Sequence, residues 1–226
     1  MNIAVLGTGA VGRTIAGKLA ELGHEVVIGT RDPAATLART EPDAMGNPPY
    51  PVWQADHPAV RLESFAEAAA SGELVVNATG GGGSLDALQQ AGEANLAGKV
   101  LLDVANPLDF SQGFPPSLFV KDTDSLAEQI QRTFPGVRVV KSLNTMTAAV
   151  MVDPGRVGGG DHSVFVSGND PEAKRTVISL LEDLGHTDVI DLGDLSTARG
   201  VEMYLPLWLR MMGAVGTPFF NIKVVR

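Results

Sequence analysis

Short apolar runs alternate with stretches of helical period along nearly the whole chain. The run from Asn2 to Leu6 is followed by AVGRTIAGKLAELG, in which Val11, Ile15, Leu19 and Leu22 recur at helical spacing and Gly23 supplies a C-cap. EVVIG then reads as a second strand. Residues 34 to 58, rich first in Ala and then in Pro, Asn and Asp, predict a short helix and an irregular surface loop. Val60 to Leu62 predicts a third strand. The next stretch, SFAEAAASG, predicts a helix with Ser64 as N-cap and Glu67 three residues on, the spacing of a capping box.

LVVNAT, KVLLDVANP and RVVKSLNT read as the fourth, fifth and sixth strands. A helix within SLDALQQAGEANLAG separates the first two, and another, from about Ser125 to Phe134, precedes the third. SVFVSG, PEAKRTVISLLEDLG and TDVIDLG add a further β-α-β unit. A last apolar helix, about Ser196 to Met212, leads to the tail FFNIKVVR. Strands alternating with helices predict an α/β fold, a Rossmann-type doubly wound and mainly parallel sheet. No linker divides the chain. Residues 1–226 therefore read as a single dinucleotide-binding domain, with 163–226 as a C-terminal β-α-β-α extension.

The turn after the first strand shifts the question from fold to ligand. GTGAVG sets Gly7, Gly9 and Gly12 between a strand and a helix, with Thr8, Ala10 and Val11 around them. Gly7 permits the tight turn, Gly9 lets backbone approach a pyrophosphate, and Gly12 allows close helix–strand packing. The helix N-terminus offers free N–H groups and partial positive charge to the phosphates. At the end of the second strand, where an NAD site carries an acid for the ribose 2′-hydroxyl, this chain has Gly29-Thr30-Arg31. A 2′-phosphate would be repelled by a carboxylate and held by Thr30 and the two-bonded fork of Arg31, which predicts NADP. The alternative is Asp32 serving a 2′-hydroxyl, should the strand run further than its pattern suggests.

Ligands of open α/β sheets lie beyond the carboxyl ends of the strands. The groups found there are Ala78, Thr79 and Gly80 at the start of a glycine run, Ala105 and Asn106 before Pro107, and Asn144 before Thr145. All are small or neutral. His24 and His186 fall in helix-to-strand turns, read as the opposite end of the sheet, and His57 and His162 in polar loops; all four read as surface residues. Lys141 is the one ionisable candidate near the sixth strand's end, and strand alternation sets it on the face opposite Asn144. No acid–base pair emerges for an alcohol or carbonyl substrate. Hydride transfer between two stacked rings needs orientation more than a proton relay, and this suits neutral amides over a glycine floor.

Composition narrows the classes further. Lys plus Arg number 17 against 26 Asp plus Glu, a formal charge of −9, which argues against nucleic acid as a partner. The absence of cysteine excludes disulfides, thiolate nucleophiles and Cys-ligated metal or cluster sites, and no metal site is expected. No apolar run reaches the roughly 18 residues of a membrane span, and the chain enters its first strand without a leader pattern. A cytoplasmic protein with small-molecule partners is expected. The final helix, with Met203, Leu205, Leu207, Trp208, Leu209, Met211 and Met212, is apolar all round. It predicts either burial within one subunit or a homodimer interface beside the acceptor pocket.

Three segments, GTGAVGRTIAGKLAELGHEVVIGTRDP, KSLNT and LGDLSTARGVEMYLPLWLRMM, together resemble the F420-dependent NADP oxidoreductase family, which is related to the NADPH-oxidising domain of the STEAP metalloreductases. The resemblance spans essentially the whole chain. It implies a Rossmann core for NADP and a C-terminal extension that helps enclose a second, flavin-like ring. Gly7, Thr8, Gly9, Val11 and Gly12 would take the pyrophosphate, Thr30 and Arg31 the 2′-phosphate, and Thr79, Ala105, Asn106 and Asn144 would border the nicotinamide. One position departs. The deazaflavin reductases carry His before the Thr of the sixth-strand motif, where this chain has Asn144, as do the metalloreductase-like members that use an ordinary flavin. The acceptor is thus open among a deazaflavin (F420), FMN or FAD, and a small organic substrate. The expected function is an NADP-dependent oxidoreductase passing hydride between NADP(H) and a deazaflavin or flavin, with Asn144 orienting the rings. The alternatives are a non-catalytic NADP-binding redox sensor and a reductase of a small imine or carbonyl that uses Lys141.

Overall fold

The central strands are apolar on both faces, and both faces are buried. In the computed structural model, which describes residues 1–43 and 46–226, Ile3 and Val5 point into one core cluster and Ala4 and Leu6 into the other. That is why the strands read as continuous apolar runs instead of alternating ones. The strands are β1 (Asn2–Leu6), β2 (Glu25–Thr30), β3 (Arg61–Ser64), β4 (Leu74–Asn77), β5 (Val100–Asp103), β6 (Leu108–Asp109), β7 (Ser117–Leu118), β8 (Arg138–Ser142), β9 (Ser163–Gly168) and β10 (Asp188–Gly193). Eight form one sheet in the order β10-β9-β8-β5-β4-β1-β2-β3, and β6 and β7 pair separately.

β3, β2, β1, β4, β5 and β8 are parallel, with Val5 opposite both Ile28 and Val76. The strand order reverses between β1 and β4, where such sheets open a crevice for a ligand. Helices Ala10–Glu21 and Pro171–Asp183 pack on one face; Phe65–Ser71, Ser84–Ala91 and Leu126–Thr133 pack on the other. The capping box forms as its spacing predicts: Ser64 accepts from the Glu67 N–H, and Glu67 accepts from the Ser64 N–H.

Several expectations are corrected. The third strand begins one residue late and runs to Ser64, and the loop of 34–58 contains a helix at Tyr50–Ala55. Ala44 and Met45, within that loop, lie outside the described residues. The final helix is two helices, Ala198–Met203 and Leu205–Val215, joined at Tyr204. Pro206 has no N–H to continue the ladder, which is tolerated only in a first turn.

The β9–β10 unit continues the same sheet, but β9 runs antiparallel to β8. This reversal carries the turn before β10 to the carboxyl end of the parallel strands. His186 therefore lies at that end, contrary to expectation. His162 and His186 are also buried, not surface residues; their Nε2 atoms bond to the carbonyls of Pro154 and Met151 at 3.1 and 2.9 Å. Burial holds His186 below the ordinary imidazole range, against the Met151 carbonyl, which favours its charged form. The tail docks beside the start of β9, where Ser163 N–H donates to the Ile222 carbonyl at 2.9 Å.

Candidate functional site

The crevice at the strand-order reversal is a cavity of about 880 Å³. Its phosphate end is made of backbone. Gly7 has a φ of +121°, and a Cβ there would stand 2.6 Å from the Ala78 carbonyl oxygen. A Cβ on Gly12 would stand 2.1 Å from the Gly7 carbonyl oxygen, whereas Gly9 has nothing within 4 Å. Two glycines thus close the turn and the third leaves it open. The helix Ala10–Glu21 starts here with no side-chain cap and no acid in its first turn. Its leading N–H groups and its dipole are available to an anion, and Thr8, Ala10 and Val11 line this end of the cavity. This cradle fits a dinucleotide pyrophosphate.

At the ribose end β2 stops at Thr30, so Asp32 lies beyond the strand. Its carboxylate is the N-cap of helix Pro33–Leu37 and accepts from Ala35 N–H at 2.9 Å. Asp32 does not line the cavity. Thr30 is buried and lines the cavity, with its hydroxyl 3.0 Å from that of Thr36. Arg31 is exposed on the cavity wall, and among the described residues it has no hydrogen-bond or ion-pair partner. It does not pair with Asp32.

The far end brings together Ala78, Thr79 and Gly80 after β4, Ala105 and Asn106 after β5, and Asn144 after β8. The glycine run packs against Asn106: a Cβ on Gly81 would stand 2.0 Å from the Asn106 carbonyl oxygen. Thr79 donates to Asn77 Oδ1 at 2.6 Å, and Asn77 donates to Asp103 Oδ1 at 2.8 Å. Asn144 Nδ2 donates to Asn106 Oδ1 at 2.9 Å and to the Val201 carbonyl at 3.0 Å, while Asn106 Nδ2 donates to the Asn144 carbonyl at 2.9 Å. The donor hydrogens of Asn144 are thus spent within the protein, and it positions its neighbours.

Beneath this floor lies the ionisable residue singled out in the sequence. Lys141 is fully buried, bonded to Asp103 Oδ2 at 2.9 Å, to Glu202 Oε1 at 3.0 Å and to the Ala105 carbonyl. Glu202 also accepts from the N–H groups of Leu126 and Ala127, at 2.8 and 3.1 Å. Burial alone would lower the Lys141 pKa; the two carboxylates outweigh it and raise it. Lys141 stays protonated and does not line the cavity. The expectation that it faces away from Asn144 fails. Leu143 takes a left-handed φ of 62° and turns the chain, so both residues engage 103–106 and 201–202.

The remaining wall is apolar: Phe110, Met146, Met151, Leu205 and Trp208. Among the described residues the cavity is lined by no histidine, lysine or carboxylate; its ionisable groups are arginines. Glu202, Asp103 and Asn77 were missed in the sequence. A signal existed for Glu202 alone, as an isolated acid in an otherwise apolar helical stretch.

The family described as NADP oxidoreductase, coenzyme F420-dependent, matches residues 2–107. The chain is 30% identical over 211 residues to the F420-dependent NADP reductase of Methanocaldococcus jannaschii, covering 92% of this chain and 90% of that protein. It is 29% identical over 212 residues to the metalloreductase STEAP3 of Rattus norvegicus; the match covers 92% of this chain but only 38% of that protein. A crystal structure from Arthrobacter sp. FB24, provisionally assigned as an F420-dependent NADP reductase, superposes with a TM-score of 0.96 at 65% identity over 99% of both chains.

Lys141→Met strands two buried carboxylates, and should cost about 3–5 kcal/mol in urea unfolding at neutral pH. The raised Lys141 pKa places its own contribution fully below the ordinary lysine range, lost only as pH rises through the raised value. A loss under about 1 kcal/mol at pH 7, of the size seen for surface ion pairs, would contradict the network's role.

Proposed function

Because this chain belongs to the F420-dependent NADP oxidoreductases, we propose that it passes hydride between NADP(H) and a deazaflavin or flavin ring. One observation carries the reading. A single cavity joins a backbone phosphate cradle to an apolar wall, and no acid or base lines it among the described residues. A substrate that needed a proton from the protein would find no donor there. Two flat rings need a dry wall and a fixed separation.

Each part of the chain has a task in this reading. The turn Gly7–Gly12 and the helix behind it hold the pyrophosphate, and Arg31 the 2′-phosphate. Thr79, Ala105 and Asn106 border the nicotinamide, with Gly80 and Ala78 at its edge. Asn144 fixes Asn106 and, through the Val201 carbonyl, the helix that leads to the acceptor wall. Met146, Met151, Leu205 and Trp208 exclude water from the second ring. NADP supplies the hydride chemistry when bound. The imine or carbonyl reading that relied on Lys141 loses its support, because that ammonium is enclosed by Asp103 and Glu202.

The residues from 163 onward act in this account as an extension of the nucleotide-binding sheet, completing the acceptor side. A cytoplasmic location is part of the proposal; no helix of the described residues is long and apolar enough to cross a membrane. So is a homodimer. Helix Leu205–Val215 leaves Leu207 at 56% and Val215 at 59% exposure, an uncovered apolar surface that a second copy would bury. Sedimentation at micromolar concentration should give a dimer; monomer alone would remove this reading.

The catalytic test is NADPH oxidation with F420, with FMN, with FAD and with no acceptor. Turnover is expected with at least one ring acceptor. No turnover with any of them would leave a non-catalytic NADP-binding sensor in its place. Asn144→Ala should then slow single-turnover transfer by about 10- to 100-fold, since a displacement of about 1 Å can cost on the order of 100-fold. NADPH affinity should hold. A normal rate with a lowered Tm would reduce Asn144 to a structural residue.

A further inference from the structure

We propose that Arg39 is a second guanidinium on the 2′-phosphate of NADP, so that cofactor choice is divided between Arg31 and Arg39. The inference rests on the NADP reading above. Arg31 and Arg39 flank the short helix Pro33–Leu37, and both line the same cavity. Both are exposed, and among the described residues neither guanidinium has a hydrogen-bond or ion-pair partner.

Among the described residues Arg156 and Arg210 also lack an ion-pair partner, but neither lines the cavity. With 26 acidic against 17 basic residues, carboxylates are plentiful. Arg132, Arg199 and Arg226 are each held by one, at 2.8, 2.6 and 2.9 Å. The two arginines on the cavity wall have none, and among the described residues no carboxylate lines the cavity to neutralise them. The acid between them in sequence, Asp32, caps the helix through Ala35 N–H and does not line the cavity. The segment between them is anchored. Thr36, in the middle of the segment, is buried with its hydroxyl on that of Thr30, and Arg39 N–H bonds back to the Thr36 carbonyl at 3.4 Å.

The ligand that such a pair fits is a phosphomonoester. Near neutral pH that group carries close to two negative charges and three strong acceptor oxygens. One planar guanidinium covers two of those oxygens, leaving charge and an acceptor unmatched. A second, from the other side of the helix, completes the match. The ribose 2′-hydroxyl of NAD offers neither guanidinium a partner anion, so the pair discriminates by what it leaves unpaired as well as by what it binds.

Equilibrium titration of the intact protein with NADPH, NADH and adenosine 2′,5′-bisphosphate tests this without reference to turnover. Arg39→Ala should raise the Kd for NADPH and for the bisphosphate by about 10-fold, the loss of one charge-assisted bond. NADH binding should stay within about twofold. Arg31→Ala should behave likewise, and the double variant should bind NADPH no better than NADH. Arg39→Lys should recover part of the loss, since the charge remains while the fork is gone. The proposal is overturned if Arg31→Ala alone abolishes the preference while Arg39→Ala changes nothing. It is equally overturned if Arg39→Ala weakens NADPH and NADH together, as stacking on adenine would require. A wild-type protein that binds NADH as tightly as NADPH would instead remove the NADP reading itself.

Discussion

Lys141 carries its ammonium group wholly out of water, and that cost dictates what surrounds it. An isolated buried ion loses several kcal/mol of hydration, so it persists only among partners of opposite charge with good geometry. Here the partners come from three places: Asp103 at the end of β5, the Ala105 carbonyl just beyond it, and Glu202 from the helix Ala198–Met203. The trio carries one excess negative charge, which the Asn77 amide and the N–H groups opening helix Leu126–Thr133 help to offset. One cation therefore ties the nucleotide sheet, the helix beneath it and the C-terminal extension into a single arrangement. The second contact between the same segments, Asn144 to the Val201 carbonyl, runs alongside at 3.0 Å. Three residues after Glu202, Leu205 joins the apolar wall of the cavity.

The parts of this arrangement that depend on neighbours in sequence were legible in advance. The glycine turn, the Ser64 capping box and the end of β2 each follow from spacing over a few residues, and the cradle and the Thr30–Arg31 edge stand where the spacing puts them. What was hidden depends on long-range contact. Nothing local says that Lys141 meets Glu202 sixty-one positions later, or that Leu143 adopts a left-handed turn without glycine. The antiparallel direction of β9 was equally invisible, because a strand's pattern does not encode which way its neighbour runs. That one reversal moved His186 to the end of the sheet where the cavity lies, although it does not line it.

That no histidine, lysine or carboxylate among the described residues lines the cavity is then a consistent feature of the site. The charged residues beneath the Asn106–Asn144 end of the cavity are turned inward and bonded to one another, while the groups lining that end are amides, threonines, glycines and apolar side chains. Such a site favours a reaction whose only demand on the protein is geometry. An amide suffices for what position 144 does here. Asn144 is used to hold backbone and Asn106, a task that needs donors and an acceptor but no titration.

Direct transfer between two rings is the central claim, and the fate of the transferred hydrogen tests it most directly. NADPH labelled with deuterium at nicotinamide C4, on each face in turn, would be oxidised in ordinary water in the presence of a deazaflavin acceptor. The reduced acceptor would be read by mass spectrometry and NMR. The account predicts that the label from one face arrives at C5 of the acceptor, with no hydrogen taken from solvent at that carbon. Solvent hydrogen at C5, or NADPH oxidation with the label lost to water, would contradict it.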